Sequence, residues 1–189
     1  MRFSDIYERN TRPDFYEGND ECNCGSFALG LTTWFVPYID EADEEEFDER
    51  DAFSYTEIER TERLIEGLEE ELDVNDLLEA TIDKDWEFIL SACPWLKSIE
   101  YEDIEKAAPN EQIIAYRLYI DAEQECSTWM IVDDMDFHFR TRINGEWYEK
   151  CGGGPVCRLG TDIDILEPWE GPDNIVYDGP IRFAKVVAI

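Results

Sequence analysis

The sequence predicts an α+β protein, with a helical first half followed by an antiparallel sheet. Apolar residues recur at helical spacing in the first half, whereas the stretches 112–120, 127–132 and 181–189 are rich in β-branched and aromatic residues. Hydrophobic residues make up 43% of the 189, which is enough to bury a core without disulfide or metal staples. We therefore expect one folded domain spanning residues 1–189.

Three segments make up this domain. Residues 1–38 form a lead-in and a Cys-bearing helix, residues 39–99 an acidic loop and a helical lobe, and residues 110–189 the antiparallel sheet. The acidic run over 40–51 predicts a solvated loop. The lobe is predicted from two helices: one with a capping box at Thr56 and Glu59 and an apolar face over 58–72, and one with apolar periodicity over about 75–92. Together these segments predict a helix packed on an antiparallel sheet, with an acidic helical insertion between them.

The charge of the chain is strongly one-sided. Forty-seven acidic residues stand against 16 basic ones, which gives a net charge of −31. Such a surface repels phosphate backbones and anionic lipid, so we expect no direct nucleic-acid partner and no membrane partner, and a partner chosen by charge is basic. The polar N-terminus and the low number of cysteines, six, favour a cytoplasmic location.

A buried helix is predicted to begin just after Asn23. Asn23 is a favoured N-cap residue, apolar residues follow at helical spacing as far as Phe35, and Pro37 stops the pattern. Cys24 therefore lies in the first turn, where the helix dipole and unpaired N–H groups lower the pKa of a thiol and suit a developing oxyanion. Cys22 precedes the cap and gains less from the dipole, so Cys24 is the candidate nucleophile.

The segment 136–151 holds two alternating runs joined by Asn-Gly at 144–145, a strong signal for a hairpin with a two-residue turn. Counting outward from the turn pairs Arg140 with Glu149. The same count pairs His138 with the cysteine at 151. By alternation, six residues share one face of the hairpin: Asp136, His138, Arg140, Trp147, Glu149 and Cys151.

His138 is the only histidine of the chain, and Glu149 is its diagonal neighbour on that face. A carboxylate there can orient one imidazole nitrogen and leave the other for a thiol, as nucleophilic catalysis requires. Two plainer interpretations stay open: Glu149 forms an ion pair with Arg140 only, or the histidine is structural. A metal site that includes Cys22 and Cys24 is a further alternative, but the cysteine spacings are not those of zinc ligand pairs, so no metal and no cofactor is expected.

Three stretches together resemble a known family. They are residues 23–29 (Asn-Cys-Gly-Ser-Phe-Ala-Leu), 136–139 (Asp-Phe-His-Phe) and 147–150 (Trp-Tyr-Glu-Lys). In this arrangement the chain resembles papain-like cysteine hydrolases of the NlpC kind, in which a cysteine opens a helix, a histidine lies on a following strand and a polar third residue lies on the next. As a whole, the chain looks like acidic proteins encoded by phages of Gram-positive bacteria.

The resemblance implies a papain-like core with Cys24 as nucleophile, His138 as general base and acid, and Glu149 where the family often has histidine. Three further residues are candidates for the oxyanion or substrate side of the site: Tyr16, Asn23 and Trp147. The expected substrate is a protein or a small amide in the cytoplasm, one with a basic surface if charge selects it. If a phage encodes the chain, that cytoplasm is the host cell's.

Two functions from different classes are consistent with these observations. The first is a cysteine hydrolase that acts on a cytosolic substrate, such as a host defence component. The second is a non-enzymatic acidic binding protein, or nucleic-acid mimic, that inhibits a host nucleic-acid-binding enzyme, and its support is the net charge of −31. A papain-like fold that has lost catalysis and keeps its cleft for binding lies between the two.

Overall fold

The computed structural model describes residues 22–31, 34–35, 74–126 and 129–187. The predicted acidic run over 40–51 and the predicted helix over 58–72 lie outside these residues. The described elements are, in chain order, α1 (Cys24–Leu29), α2 (Val74–Ala92), β1 (Leu96–Ile99), α3 (Tyr101–Lys106), β2 (Ile113–Cys126), β3 (Trp129–Ile143), β4 (Glu146–Lys150), β5 (Val156–Gly160), β6 (Trp169–Glu170), a 3-10 turn (Pro172–Asn174), β7 (Val176–Tyr177) and β8 (Ile181–Val186).

Six of the strands form one sheet in the order β1-β8-β2-β3-β4-β5, and every pairing in it is antiparallel. The predicted α+β class with an antiparallel sheet is confirmed at this level. The strands predicted near 112–120 and 127–132 are β2 and β3, which both extend further than their apolar stretches indicated. The structure places β1, which falls within the range assigned to the helical lobe, at one edge of this sheet.

Helix α1 begins where predicted but ends early. Asn23 caps it, because its Oδ1 accepts a hydrogen bond from the Ser26 N–H at 3.0 Å. The helix stops after six residues, since Gly30 adopts a left-handed conformation (φ 70°) and the Leu31 N–H bonds to the Ser26 carbonyl at 2.9 Å. The prediction that this helix continues to Phe35 was wrong, because the glycine stop outweighs the apolar periodicity beyond it.

Helix α2 confirms the periodicity predicted over about 75–92. Four of its side chains are buried against the sheet: Leu78, Ile82, Trp86 and Ile89. The helix ends before Cys93-Pro94, because a residue that precedes proline avoids the helical conformation. Although α2 is 19 residues long, neither it nor another described helix is long and apolar enough to cross a membrane.

The sheet is covered on both faces, with different chemistry on each. Helices α1 and α2 cover the first, which we call the helical face, and its core is mainly apolar, apart from a buried hydrogen bond from the Tyr116 hydroxyl to Asp85. Helix α3 and residues 161–178 cover the second. We call these residues the strap and this side the strap face. Within the strap β6 and β7 pair, with Trp169 opposite Tyr177, and both rings are buried.

The β3–β4 hairpin confirms the predicted turn. Residues 144–145 both have positive φ (52° and 82°), as the mirror-image turn of a two-residue hairpin requires. Arg140 lies opposite Glu149, as predicted. Strand β4 ends one residue before Cys151, so the predicted pairing of His138 with Cys151 is not part of the ladder.

Candidate active site

Cys24 lies against the backbone of β3, beside the position of His138. Its Sγ is 3.9 Å from the Phe137 carbonyl oxygen, to which the thiol donates, and it also contacts the Phe139 backbone. Phe137 and Phe139 are the chain neighbours of His138. The fold therefore brings Cys24 next to the histidine-bearing segment, although 113 residues separate Cys24 from Phe137.

The Cys24 thiol is buried, with only 5% of the residue exposed. Burial raises the pKa of this thiol, the negative charge of Asp136 raises it further, and the backbone contacts with Phe139 and Gly25 offset only part of the rise. The prediction of a lowered pKa was wrong, because desolvation outweighs the dipole of a helix only six residues long. The resting thiol is protonated at neutral pH.

The His138 side chain projects to the strap face, whereas those of Phe137 and Phe139 belong to the core of the helical face. Its ring stacks on Tyr177, with centroids 5.2 Å apart, and meets the edge of Trp169 at 6.1 Å. His138 is only 2% exposed. Within the part of the chain that the structure describes, no hydrogen bond joins the imidazole to the Cys24 thiol, so the predicted pair is adjacent but not assembled.

His138 and Glu149 are brought together as the hairpin register predicts. His138 Nε2 lies 3.4 Å from Glu149 Oε2, and Arg140 Nε donates to the same oxygen at 2.8 Å. The imidazole contact is close but not a well-aligned hydrogen bond, since Nε2 has no partner of full hydrogen-bond geometry among the described residues. The Glu149 carboxylate therefore contacts both His138, as an orienting residue would, and Arg140, as an ion-pair partner.

The pKa of Glu149 reflects two opposing effects. Burial alone raises it, but the contact with His138 and the charge of Arg140 lower it by more, so the carboxyl has a pKa below its usual range. Glu149 is therefore ionised at neutral pH. An ionised carboxylate beside Nε2 favours a proton on that nitrogen, which leaves Nδ1 of His138 as the nitrogen available to a thiol.

Arg117 lies directly opposite His138 in the β2–β3 ladder. Its guanidinium donates to three strap carbonyls: to Glu167 at 2.7 Å, to Leu166 at 2.6 Å and to Tyr177 at 3.2 Å. Sequence reasoning missed this residue, although an arginine inside an otherwise apolar strand is a signal that could have found it. Burial lowers the pKa of Arg117 first, and the nearby charge of Arg140 adds to this.

Aromatic rings complete this polar cluster. The guanidinium groups of Arg117 and Arg140 lie 5.1 and 4.6 Å from the centroid of the Trp169 ring. The Tyr177 hydroxyl donates to Asp136, and burial together with that carboxylate raises the pKa of Tyr177. Trp169 and Tyr177 escaped the sequence analysis because no local pattern links the strap to the hairpin.

The three residues predicted for the oxyanion or substrate side have different outcomes. Asn23 serves as a structural cap: its Oδ1 accepts from Ser26 and Phe35, and its Nδ2 donates to the Phe35 carbonyl at 2.6 Å. Trp147 is buried in the core of the strap face. Tyr16 lies outside the described residues.

A glycine turn joins β4 to β5, and two further thiols lie on either side of it. Lys150 is fully buried, and its Nζ donates to the carbonyls of Gly152 and Gly154, both at 2.7 Å. Cys151 is half-buried, and burial followed by the charge of Glu149 raises its pKa to about 11. Cys157 is exposed. These two cysteines are therefore natural controls for the reactivity of Cys24.

Comparisons with known proteins identify no relative. No protein-family model matches the chain, and no curated protein or solved structure is significantly similar to it. Among the residues that the structure describes, no group of three or more histidine, cysteine or carboxylate side chains is arranged to hold a metal ion. The argument for a function therefore rests on the geometry around Cys24 and His138.

Proposed function

We propose that this protein is a cysteine hydrolase of the protease or amidase type, with a papain-like core. The observation that supports this proposal is the placement of Cys24 against the β3 segment 137–139, where His138 contacts Glu149. The order of parts agrees with it, because the cysteine opens a helix packed on the sheet, the histidine lies on one strand and the carboxylate on the next.

The first step of the proposed reaction is proton transfer from Cys24 to His138. The resting thiol is protonated and bonded to the Phe137 carbonyl, and it belongs to the core of the helical face, whereas the imidazole lies on the strap face. The thiol must therefore leave that oxygen and pass the part of β3 that β4 does not pair before it reaches Nδ1. Nδ1 accepts the proton as Sγ attacks the substrate carbonyl carbon, and Glu149 stabilises the resulting imidazolium. General-base transfer during attack suits a thiol whose pKa is raised.

The acyl group then passes from the substrate to Cys24 and on to water. The imidazolium returns its proton to the leaving amine or alcohol, the scissile bond breaks and a thioester forms on Sγ. His138 next takes a proton from a water molecule, whose oxygen attacks the thioester carbonyl. Collapse releases a carboxylic acid and restores the Cys24 thiol.

The charge of the chain suggests the kind of substrate. A net charge of −31 attracts basic proteins and repels nucleic acid. A cytosolic protein with a basic surface, or a small amide, therefore suits the proposed enzyme, and a host component suits it if the chain is phage-encoded. Electrostatic attraction of this kind weakens as salt is added, because exposed charges are screened.

Acyl transfer to a simple ester tests the proposal without knowledge of the substrate. The native protein is incubated with p-nitrophenyl acetate, and acetylated cysteines are located by peptide mass spectrometry. We expect acetyl-Cys24 to form and turn over, and His138→Ala to slow its formation by about a hundredfold, the lower range of general-base catalysis. Cys157→Ala is the matched control, and it leaves Cys24 acetylation unchanged because Cys157 lies on the exposed β5 strand.

Two outcomes contradict the proposal. One is acetylation confined to Cys151 and Cys157 in the native protein, which makes Cys24 a structural thiol. The other is Cys24 acetylation that proceeds at the same rate in His138→Ala, which removes the histidine from the reaction.

The net charge supports a second candidate function, in which the acidic surface binds a basic cleft on a nucleic-acid-binding enzyme without any chemistry. Cys24→Ala separates the two, since it abolishes acyl transfer and leaves charge-driven binding intact. Raised salt separates them in the opposite direction, because it weakens binding far more than acyl transfer.

A further inference from the structure

The two candidate catalytic side chains are closed to a substrate in this structure. Cys24 is 5% exposed and His138 is 2% exposed. A thiol must meet a carbonyl carbon and an imidazole together to transfer an acyl group. The proposed enzyme therefore needs an opening movement, and the structure shows which described segment covers the histidine.

The strap is that cover. The Tyr177 ring stacks on the imidazole of His138 at 5.2 Å, with only 26° between the two planes. Trp169, from the other strand of the strap, meets the same imidazole edge-on. Movement of β6 and β7 away from the sheet would therefore uncover one whole side of His138.

Polar groups contribute much of what fastens the strap to the sheet. Arg117 donates to the carbonyls of Leu166, Glu167 and Tyr177, which lie at two separate points of the strap. The Tyr177 hydroxyl donates to Asp136. Water can take the place of these hydrogen bonds when they break. Opening also exposes the buried rings of Trp169 and Tyr177, so the polar contacts lower the cost of opening but do not remove it.

The outer surface of the strap differs from the rest of the described surface. Leu166 and Val176 are 42% and 40% exposed, and Trp34 is the other exposed large apolar residue among those described. Two apolar side chains therefore face solvent on the segment that covers the histidine. A protein substrate that binds these two side chains would therefore contact the same segment that the Arg117 hydrogen bonds hold against the sheet.

We propose that the strap, residues 161–178, is an autoinhibitory lid over His138, latched by Arg117 and opened before the rest of the domain unfolds. The regulatory role rests on the proposed function, since it concerns the same site. The opening of the strap itself does not, because it can be measured without any catalysis.

Modification of the single histidine measures the opening directly. Diethyl pyrocarbonate reacts with an accessible imidazole, and because the chain has one histidine the product maps to one peptide by mass spectrometry. The native protein is labelled across a series of urea concentrations below the unfolding transition. We expect His138 labelling to depend on urea far less steeply than global unfolding does, since opening the strap exposes less surface than unfolding the domain.

Arg117→Met tests the latch, because it keeps much of the side-chain volume and removes all three hydrogen bonds to the strap. We expect His138 labelling to rise at least about tenfold, which corresponds to ~1.4 kcal/mol in the opening equilibrium. Hydrogen exchange should rise across the strap and stay unchanged in α2. Arg182→Met is the matched control, since Arg182 is an arginine of the same sheet that pairs with Glu79 and Asp83 away from the strap.

The lid is overturned if His138 labelling of the native protein follows the urea dependence of global unfolding, because the strap is then a fixed part of the core. This result decides the question even if Arg117→Met does not fold. Failure of the proposed function gives a different pair of results. Diethyl pyrocarbonate then still labels His138 through local opening, but the rate of Cys24 acetylation is the same with and without His138.

Discussion

The two faces of the sheet are built on different principles. On the helical face, α1 and α2 cover aliphatic and aromatic side chains such as Ile82, Phe137 and Phe139, all of them buried. On the strap face, the centre of β2 and β3 presents Arg117 and His138 as a cross-strand pair. The strap face also buries apolar side chains, but it adds Arg117 and His138 beneath a cover that is partly polar.

This difference separates the stable part of the domain from the part where chemistry can occur. Apolar burial is non-directional and tolerates small shifts, whereas a buried charge needs each of its partners in place. A buried cluster of arginine, histidine and glutamate is weak evidence for stability, since apolar replacements of similar volume are often as stable. The polar cluster is therefore where we locate function.

Two isoleucine substitutions, one on each face of the sheet, test the difference between the faces with the largest expected effect. Ile82→Ala removes a fully buried side chain of α2, and we expect the free energy of unfolding to fall by about 3 kcal/mol. Ile165→Ala removes a buried side chain of the strap, and we expect a smaller global loss than for Ile82→Ala, because this loss cannot exceed the free energy that opens the strap. Urea denaturation measures both, and equal losses contradict the separation of the two faces.

Removal of one partner from the charged cluster has the next largest effect. Arg140→Ala leaves the Glu149 carboxylate without its 2.8 Å partner. We expect a loss of roughly 2 kcal/mol, somewhat below the cost of breaking a fully buried pair, because the two side chains are 11% and 12% exposed. The control is Arg158→Ala at the exposed pair with Glu146, where denaturation curves that shift as far as those of Arg140→Ala would contradict the account.

The acidity of Glu149 gives the smallest and most specific effect. Its pKa is lowered in the folded protein, so its contribution to stability is full above the unfolded value of about 4.3 and is lost as the pH falls through the folded pKa. The difference in unfolding free energy between the native protein and Glu149→Gln should therefore narrow below about pH 4. A difference that stays constant from neutral to acidic pH shows that the carboxylate is not ion-paired.

The hairpin shows how much local sequence can predict. Asn-Gly at 144–145 determines its own turn geometry, and the strand period of two then places Glu149 beside His138 with no knowledge of the rest of the fold. Helix α2 was predicted for a similar reason, since its period and its Cys93-Pro94 stop are both local. The candidate base and its carboxylate were therefore accessible from sequence.

The remaining features depend on contacts between distant segments. The raised pKa of Cys24 comes from burial, which no first-turn argument can supply. Arg117 and Tyr177 are 60 residues apart, and only the folded chain reveals that the arginine holds the strap that carries the tyrosine. The early end of α1 at Gly30 differs from these, because the glycine is a local stop signal that the prediction, based on the apolar period and Pro37, did not use.

The central claim is that His138 acts on Cys24 and that the strap controls this action. The most direct measurement is the rate of Cys24 acetylation in four proteins: native, Arg117→Met, His138→Ala and the double variant. The account predicts that Arg117→Met accelerates acetylation about tenfold when His138 is present and has little effect when it is absent. Equal acceleration in both backgrounds would contradict it, because Cys24 would then react without the histidine.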